Sequence, residues 1–158
     1  MMTSYLQILE DSLTKKAALL SEIEKKSLEQ TQILRSGEVS FQSIDENMDE
    51  KARLIGEVDA LDRGFESLYE KIREELLANK ESYREEIRRI QELITLVTEK
   101  STSIQAIEAR NKAETEIMFS RQKKNLQTKR NAMAVANDYY QSMNKIKNLS
   151  PQFLDRKK

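Results

Sequence analysis

Apolar residues recur at intervals of three and four in three successive stretches of the chain, which is the spacing that places side chains on one face of an α-helix. The stretches cover residues 6–34, 41–76 and 87–104. Only three glycines and one proline are present in 158 residues, so few positions favour a break. The pattern predicts an all-α fold.

The breaks between the stretches set the predicted helix bounds. Gly37 follows the first stretch and is suited to the left-handed conformation that ends many helices. The second break, at residues 79–82, has no glycine or proline, and its prediction as a turn depends on Asn79 as a left-handed cap and on Ser82 with Glu85 as a capping box. If this turn failed, the second and third helices would form one rod and the bundle would have to form between chains.

The predicted fold is therefore an elongated antiparallel three-helix bundle or coiled coil. Its helices cover about residues 4–36, 40–78 and 82–143 in a single domain, 1–143. Pro151 ends helical structure, and residues 144–158 are expected to form a flexible, basic tail.

Polar residues stand at some positions that the repeat assigns to the core. Lys16, Ser27 and Gln30 interrupt the first stretch, and Asn111 follows the third. A polar residue at such a position often fixes the register of packed helices at some cost in stability. Within the second stretch, Gly56 and Gly64 are expected to allow close approach of a neighbouring helix.

Helix lengths single out the C-terminal part of the chain. At ~1.5 Å per residue the second helix is close to 60 Å long, and an antiparallel third helix draws level with its start near Arg121. Helical signals nevertheless persist to Met143, so the third helix is expected to extend past the bundle with one apolar edge uncovered. The residues predicted to bind a partner there are Met118, Phe119, Leu126, Met133, Tyr140 and Met143. The alternative is a terminal helix that packs on the end of the bundle.

Charge is unevenly divided along the chain. Residues 110–158 hold 12 Lys and Arg against 4 Asp and Glu, a net +8, and residues 1–109 hold 15 against 23, a net −8. Folded antiparallel, residues 110–124 would lie beside the acidic start of the second helix, which includes Glu38, Asp45 and Glu50. This self-complementarity accounts for much of the division, and no nucleic-acid-binding motif is present.

Composition excludes several classes of function. The chain has no histidine and no cysteine, which removes imidazole and thiolate chemistry and the usual zinc sites. No glycine motif that cradles phosphate is found. An enzyme, a cofactor or a metal is therefore not expected. The N-terminus lacks a secretory signal, and no apolar run is long enough to span a bilayer, so the expected location is the cytoplasm.

The order of segments resembles that of the flagellar export chaperones of the FlgN and FliT kind. The likeness is carried by widely spaced leucines in "YLQILEDSLTKKAALLSEI", by the acidic break "SGEVSFQSI" and by the Leu-Ile pair that closes 51–55. It implies a cytosolic chaperone that binds the terminal amphipathic helix of a late export substrate, such as a hook-associated or filament-cap protein, and delivers it unpolymerised to the export gate. It implies no nucleotide and no chemistry.

Two functions from different classes thus remain. The first is a flagellar export chaperone whose C-terminal segment binds a partner helix through adaptable methionines and aromatic residues. The second is a structural coiled-coil protein that uses the same segment to self-associate, for example as a homodimer. Neither predicts binding of nucleic acid or stable insertion into a membrane.

Overall fold

The computed structural model describes residues 1–37, 41–121, 126–148 and 153–154, and within 126–148 it describes the side chains of 132–144. All regular structure in these residues is helical, so the all-α fold is confirmed. The elements are α1 (Met2–Arg35), α2 (Phe41–Ala78), a short 3-10 helix (Lys80–Tyr83), α3 (Arg84–Arg121) and α4 (Leu126–Asn148).

The four helices pack side by side, with α1 between α2 and α3, and with α4 against α2. Contacts between α1 and α3 advance together along both helices, from Glu10 with Arg89 to Ser27 with Asn111, which shows that the two are parallel. Lys16 instead meets Asp62 of α2, while Lys26 nearer the end of α1 meets Glu50 nearer the start of α2, so α1 and α2 are antiparallel.

The long third helix predicted for residues 82–143 is not found. Helix α3 ends at Arg121, the position at which the predicted third helix draws level with the start of α2. A separate helix begins at Leu126. Helix α4 packs on α2 instead of extending past the bundle. Burial of apolar surface explains the difference, because α4 shelters its aromatic face within the same molecule where an extended helix would leave it in water.

Both predicted breaks occur, but only one has the predicted geometry. Gly37 follows α1 with φ of +80°, which confirms its left-handed conformation. The break at 79–82 is also real, and so the single-rod alternative is wrong for this structure. Asn79, however, has φ of −128° and is not left-handed. Its side-chain amide donates to the carbonyl of Glu75 at 2.8 Å, and the backbone N–H of Ser82 donates to the Asn79 carbonyl, so hydrogen bonds form this turn without a left-handed residue.

The start of α2 lies beside the end of α3, where Phe41 packs against Phe119, but the predicted pairing of their charges is not seen. Glu50 pairs with Lys26 of α1. Within the described ranges, no ion pair joins residues 110–121 to the acidic side chains of 41–50, and Glu38, Lys123 and Lys124 lie outside those ranges.

Helix α4 divides the bundle into two halves. The four-helix half contains residues 20–35, 41–58, 104–121 and α4, and the three-helix half contains residues 2–19, 59–78 and 84–103. With 23 residues, α4 is about 35 Å long at ~1.5 Å per residue and cannot accompany α2 along its 38 residues. The core of the three-helix half is mainly aliphatic and aromatic, and it includes Leu6, Leu9, Leu13, Phe65, Ile72, Leu76 and Ile90.

The C-terminal residues differ from the predicted flexible tail at two places. Helix α4 continues past residue 143 to Asn148. Beyond it, the Phe153 ring packs against Phe65 and Tyr69 of α2 with centroid distances of 6.1 and 5.1 Å, and the Leu154 carbonyl accepts a hydrogen bond from the Gln91 amide. The rest of the predicted tail, residues 149–152 and 155–158, lies outside the described residues.

Candidate partner-binding surfaces

The six residues predicted to bind a partner do not form one exposed row. Phe119 is buried against Phe41 with ring centroids 5.2 Å apart, and Tyr140 and Met143 are also buried. Met118 is half-buried, whereas 39% of Met133 is exposed. The side chain of the sixth residue, Leu126, lies outside the described part. The prediction of an uncovered apolar edge is therefore wrong for the three buried residues.

The error comes from carrying one repeat across two helices. The predicted row continued the spacing of α3 through Met133 to Tyr140, but α4 is a separate helix with its own orientation. Its buried face is formed by Ala132, Ala136, Tyr139, Tyr140 and Met143. Small residues at two of these positions allow α4 to lie close to its neighbours.

A buried polar cluster lies where α4 meets the other helices. The Lys51 ammonium donates to both carboxylate oxygens of Glu108, at 3.1 and 3.2 Å, and to the amide oxygen of Gln30. The Lys51 side chain is fully buried and 4% of the Glu108 side chain is exposed. Above them, the Tyr139 ring centroid is 4.5 Å from the Lys51 nitrogen, an arrangement typical of a cation–π contact.

Further hydrogen bonds connect this cluster to all four helices. The Gln30 amide nitrogen donates to the hydroxyls of Thr115 at 2.9 Å and Tyr140 at 3.2 Å. The Asn111 amide donates to the Ser27 carbonyl at 2.8 Å. Ser27 and Gln30 of α1 thus contact Asn111 and Thr115 of α3, which agrees with the register-fixing role that the sequence indicates for Asn111.

Burial is the largest cause of the pKa shifts in the cluster. It lowers the pKa of the Lys51 ammonium, and the Glu108 carboxylate opposes this shift. It raises the pKa of the Tyr139 and Tyr140 hydroxyls, and the nearby charge of Glu108 acts in the same direction. These groups are enclosed, and Lys51, Glu108 and Tyr140 are hydrogen-bonded, whereas the Tyr139 hydroxyl has no hydrogen-bond partner among the described residues. The arrangement therefore fits a structural contact between helices better than a site that admits a substrate.

An open groove lies between α1 and α2, mostly in the three-helix half, and is here called the α1–α2 groove. It contains two adjoining depressions of about 360 and 550 Å³ that share Lys15, Ala60 and Leu61. All the lining residues belong to positions 8–22 of α1 and 57–68 of α2. A span of 8–22 corresponds to about 21 Å at ~1.5 Å per residue, or roughly four helical turns.

The floor of the α1–α2 groove is apolar and has room above it. Leu19, Leu61 and Leu68 are half-buried there, and 55% of Ile8 is exposed. At Gly64, no atom of another helix lies within 4 Å of the position that a Cβ would take. The same holds for Gly56, so the prediction that these glycines admit a neighbouring helix is wrong within this chain.

The groove is bounded on the side of the four-helix half by a polar contact between the helices. Lys26 of α1 pairs with Glu50 of α2, and the Asn47 amide donates to the Lys26 carbonyl at 2.9 Å. The Glu50 carboxylate raises the pKa of the Lys26 ammonium. These contacts join α1 to α2 beyond Glu22, the last residue of α1 that lines the groove.

The groove was not predicted, although the sequence contained a signal of it. Leu61 and Leu68 stand one place beside the repeat of α2. Residues next to a core face widen its apolar stripe, and a wide stripe covers more than one neighbour. A glycine at position 64, in the same part of the helix, was a second signal, because it lowers helix stability without filling space.

Other kinds of site are not found in the described ranges. These ranges contain no group of three or more acidic side chains arranged to hold a metal ion. They also contain no helix with the length and hydropathy needed to cross a membrane.

Comparison of the chain with protein-family models, with curated proteins and with solved structures gave no match in any of the three.

Proposed function

We propose that this chain is an export chaperone of the FlgN and FliT kind, which binds the terminal amphipathic helix of a late flagellar export substrate and keeps it unpolymerised. In this proposal the substrate is a hook-associated or filament-cap protein, the chaperone acts in the cytoplasm, and delivery to the export gate follows binding. The substrate helix lies in the α1–α2 groove. This location replaces the C-terminal row that the sequence favoured.

The observation that carries the proposal is the open apolar floor of the groove. Its span of about four turns suits a helix that inserts anchors at positions i, i+3, i+4 and i+7. Leu61 and Leu68, one heptad apart on α2, would contact such anchors on one side, and Leu19 of α1 would do so on the other. Gly64 between the two α2 leucines would let the incoming backbone approach closely.

The buried polar cluster supports the same assignment indirectly. It ties Tyr140 of α4 to Gln30 of α1, and so it holds the C-terminal apolar face inside the bundle. A partner that bound the predicted row would first have to displace buried side chains such as Phe119 and Tyr140. A partner that binds the α1–α2 groove meets apolar side chains that are already accessible.

The test uses two glycines of the same helix. Gly64→Leu places a side chain in the groove, whereas Gly56→Leu places one on α2 outside the groove lining. Both substitutions replace a helical glycine with a better helix former and should raise the free energy of unfolding by about 1 kcal/mol. We expect Gly64→Leu to weaken binding of substrate-helix peptides by at least about tenfold, and Gly56→Leu to leave it unchanged.

The measurement is the dissociation constant of peptides that correspond to terminal helices of hook-associated and filament-cap proteins, together with the mass of the chain in solution. Failure of every such peptide to bind the native chain would refute the chaperone proposal. A stable oligomer that ignores these peptides would favour the structural coiled-coil protein instead. Binding that both variants retain would place the substrate outside the groove.

A further inference from the structure

We infer that the helix accepted by the α1–α2 groove carries basic side chains near both of its ends, about three turns apart, with an acidic or neutral side chain between them. This inference rests on the proposed use of the groove and adds the chemistry of the partner. It follows from the order of charges along the groove.

Acidic side chains line the groove toward its two ends, and a basic side chain lies between them. Asp11 stands near one end, and Glu22 of α1 and Glu57 of α2 stand at the other. Lys15 lies between Asp11 and Glu22 along α1 and lines both depressions. Eleven residues separate Asp11 from Glu22, which is about 16 Å or three turns of helix at ~1.5 Å per residue.

These charges are available to a partner. Asp11 accepts a hydrogen bond from the Gln7 amide at 2.9 Å, but no Lys or Arg nitrogen of the described residues pairs with Asp11, Glu22 or Glu57. The neighbouring acidic residue Glu50, just beyond the groove, is already paired with Lys26. A basic residue on an incoming helix would therefore meet unpaired carboxylates at either end of the groove.

The same charges disfavour a second copy of this groove as the occupant. A two-fold symmetric contact brings the same patch of each subunit together. With the two-fold axis at the middle of the groove, Asp11 of one copy would approach Glu22 and Glu57 of the other, and like charges in contact oppose association. A separate helix with basic ends avoids this repulsion.

The test compares two peptides that have the same composition and the same apolar face. In the first, lysines occupy the end turns and glutamates the middle; in the second, the two are exchanged. We expect the first peptide to bind the native chain roughly tenfold more tightly at low salt, since several exposed ion pairs of modest strength add together. The difference should nearly vanish at 1 M salt, where charges are screened within about 3 Å.

A variant without the three acidic charges tests whether the preference for the first peptide comes from the order of charges and not from the apolar contact. Asp11→Asn, Glu22→Gln and Glu57→Gln combined should make the two peptides bind equally. The matched control removes the same number of charges from exposed positions outside the groove, by Glu74→Gln, Glu99→Gln and Glu114→Gln, and should retain the preference.

Each outcome distinguishes this inference from the proposed function. If both peptides bind equally to the native chain and Gly64→Leu abolishes both, the charge order is irrelevant and the groove assignment stands. Tighter binding of the second peptide would contradict the charge order directly. If neither peptide binds, or if Gly64→Leu has no effect, the groove assignment fails and the inference fails with it. Self-association that disappears in Gly64→Leu would identify a second copy as the occupant and would also overturn the inference.

Discussion

The two halves of this bundle have cores of different composition. In the four-helix half, α4 closes the core over a cluster of hydrogen-bonded polar side chains that includes Lys51, Glu108 and Gln30. In the three-helix half, the core consists mainly of apolar side chains such as Leu13 and Phe65, and the α1–α2 groove remains open on the outside. The buried polar contacts of the four-helix half involve all four helices, whereas the buried Lys16–Asp62 ion pair of the three-helix half joins α1 to α2 alone.

The two halves therefore suit different roles: the buried polar cluster fixes the register of the helices, and the open apolar groove offers a surface for binding. Buried polar groups are costly unless they find their partners, so the cluster favours the one alignment of four helices that satisfies it. Apolar contacts are less directional and tolerate many partners. The open apolar floor of the α1–α2 groove is therefore the surface that we propose for a helix from another protein.

The largest expected effect is the loss of one member of the buried ion pair. Lys51→Ala leaves the Glu108 carboxylate buried without its cation, and such changes cost about 3 to 5 kcal/mol. The control is Lys26→Ala, which removes a partly exposed pair and should lower the free energy of unfolding far less than Lys51→Ala does. Chemical denaturation measures both free energies of unfolding. Similar small values for the two variants would show that the cluster does not stabilise the four-helix half.

A smaller loss is expected from a cavity in the three-helix half. Leu13 is buried in the apolar core, and Leu13→Ala should lower the free energy of unfolding by about 2 to 5 kcal/mol, with the lower part of that range favoured if the core collapses around the cavity. Leu28→Ala, at a position of the same helix where half of the side chain is exposed, should change it by less than about 0.5 kcal/mol. Equal values would contradict the described orientation of α1.

The stability of the four-helix half should fall in alkaline solution. Burial raises the pKa of Tyr139 and Tyr140 above the usual 10.0, so the unfolded chain loses these protons first and stability is lost as pH rises above about 10. Because burial lowers the pKa of Lys51, this group makes the free energy of unfolding rise with pH. It does so only below pH 10.5, the pKa that lysine has in the unfolded chain.

Above that pH the tyrosines dominate, each contributing at most about 1.4 kcal/mol per pH unit. Denaturation at a series of pH values measures the slope. Tyr140→Phe should make it shallower, and an unchanged slope would show that Tyr140 is not protected in the fold.

The smallest expected effect is a gain in the free energy of unfolding. Gly64→Ala should raise the free energy of unfolding by up to about 1 kcal/mol, because alanine favours the helix and nothing lies within 4 Å to resist its methyl group. Gly56→Ala should behave in the same way. A loss of stability at position 64 alone would mean that the groove is narrower than described.

Much of the fold follows from local patterns. Gly37 marked the end of α1 correctly, and the three-and-four spacing identified most of the buried leucines and isoleucines of α1, α2 and α3. Asn111 and Gln30 were recognisable as polar residues at core positions, yet their hydrogen-bond partners were not, because those partners lie on other helices far along the chain.

The direction of the C-terminal segment could not be predicted from spacing alone. A repeat continues in sequence whether the helix is straight or the chain turns back, and only the packing of Tyr139 and Met143 on the bundle distinguishes the two. The α1–α2 groove was missed for a related reason. Leu61 and Leu68 indicate a wide apolar face on α2, but whether another helix covers that face depends on segments distant in the sequence.

Hydrogen exchange of the chain with and without a bound substrate-helix peptide tests the central claim most directly. The account predicts added protection in residues 8–22 of α1 and 57–68 of α2, with the exchange of 132–143 in α4 unchanged. Protection confined to α4, or release of α4 on binding, would contradict it and would restore the C-terminal segment as the partner-binding surface.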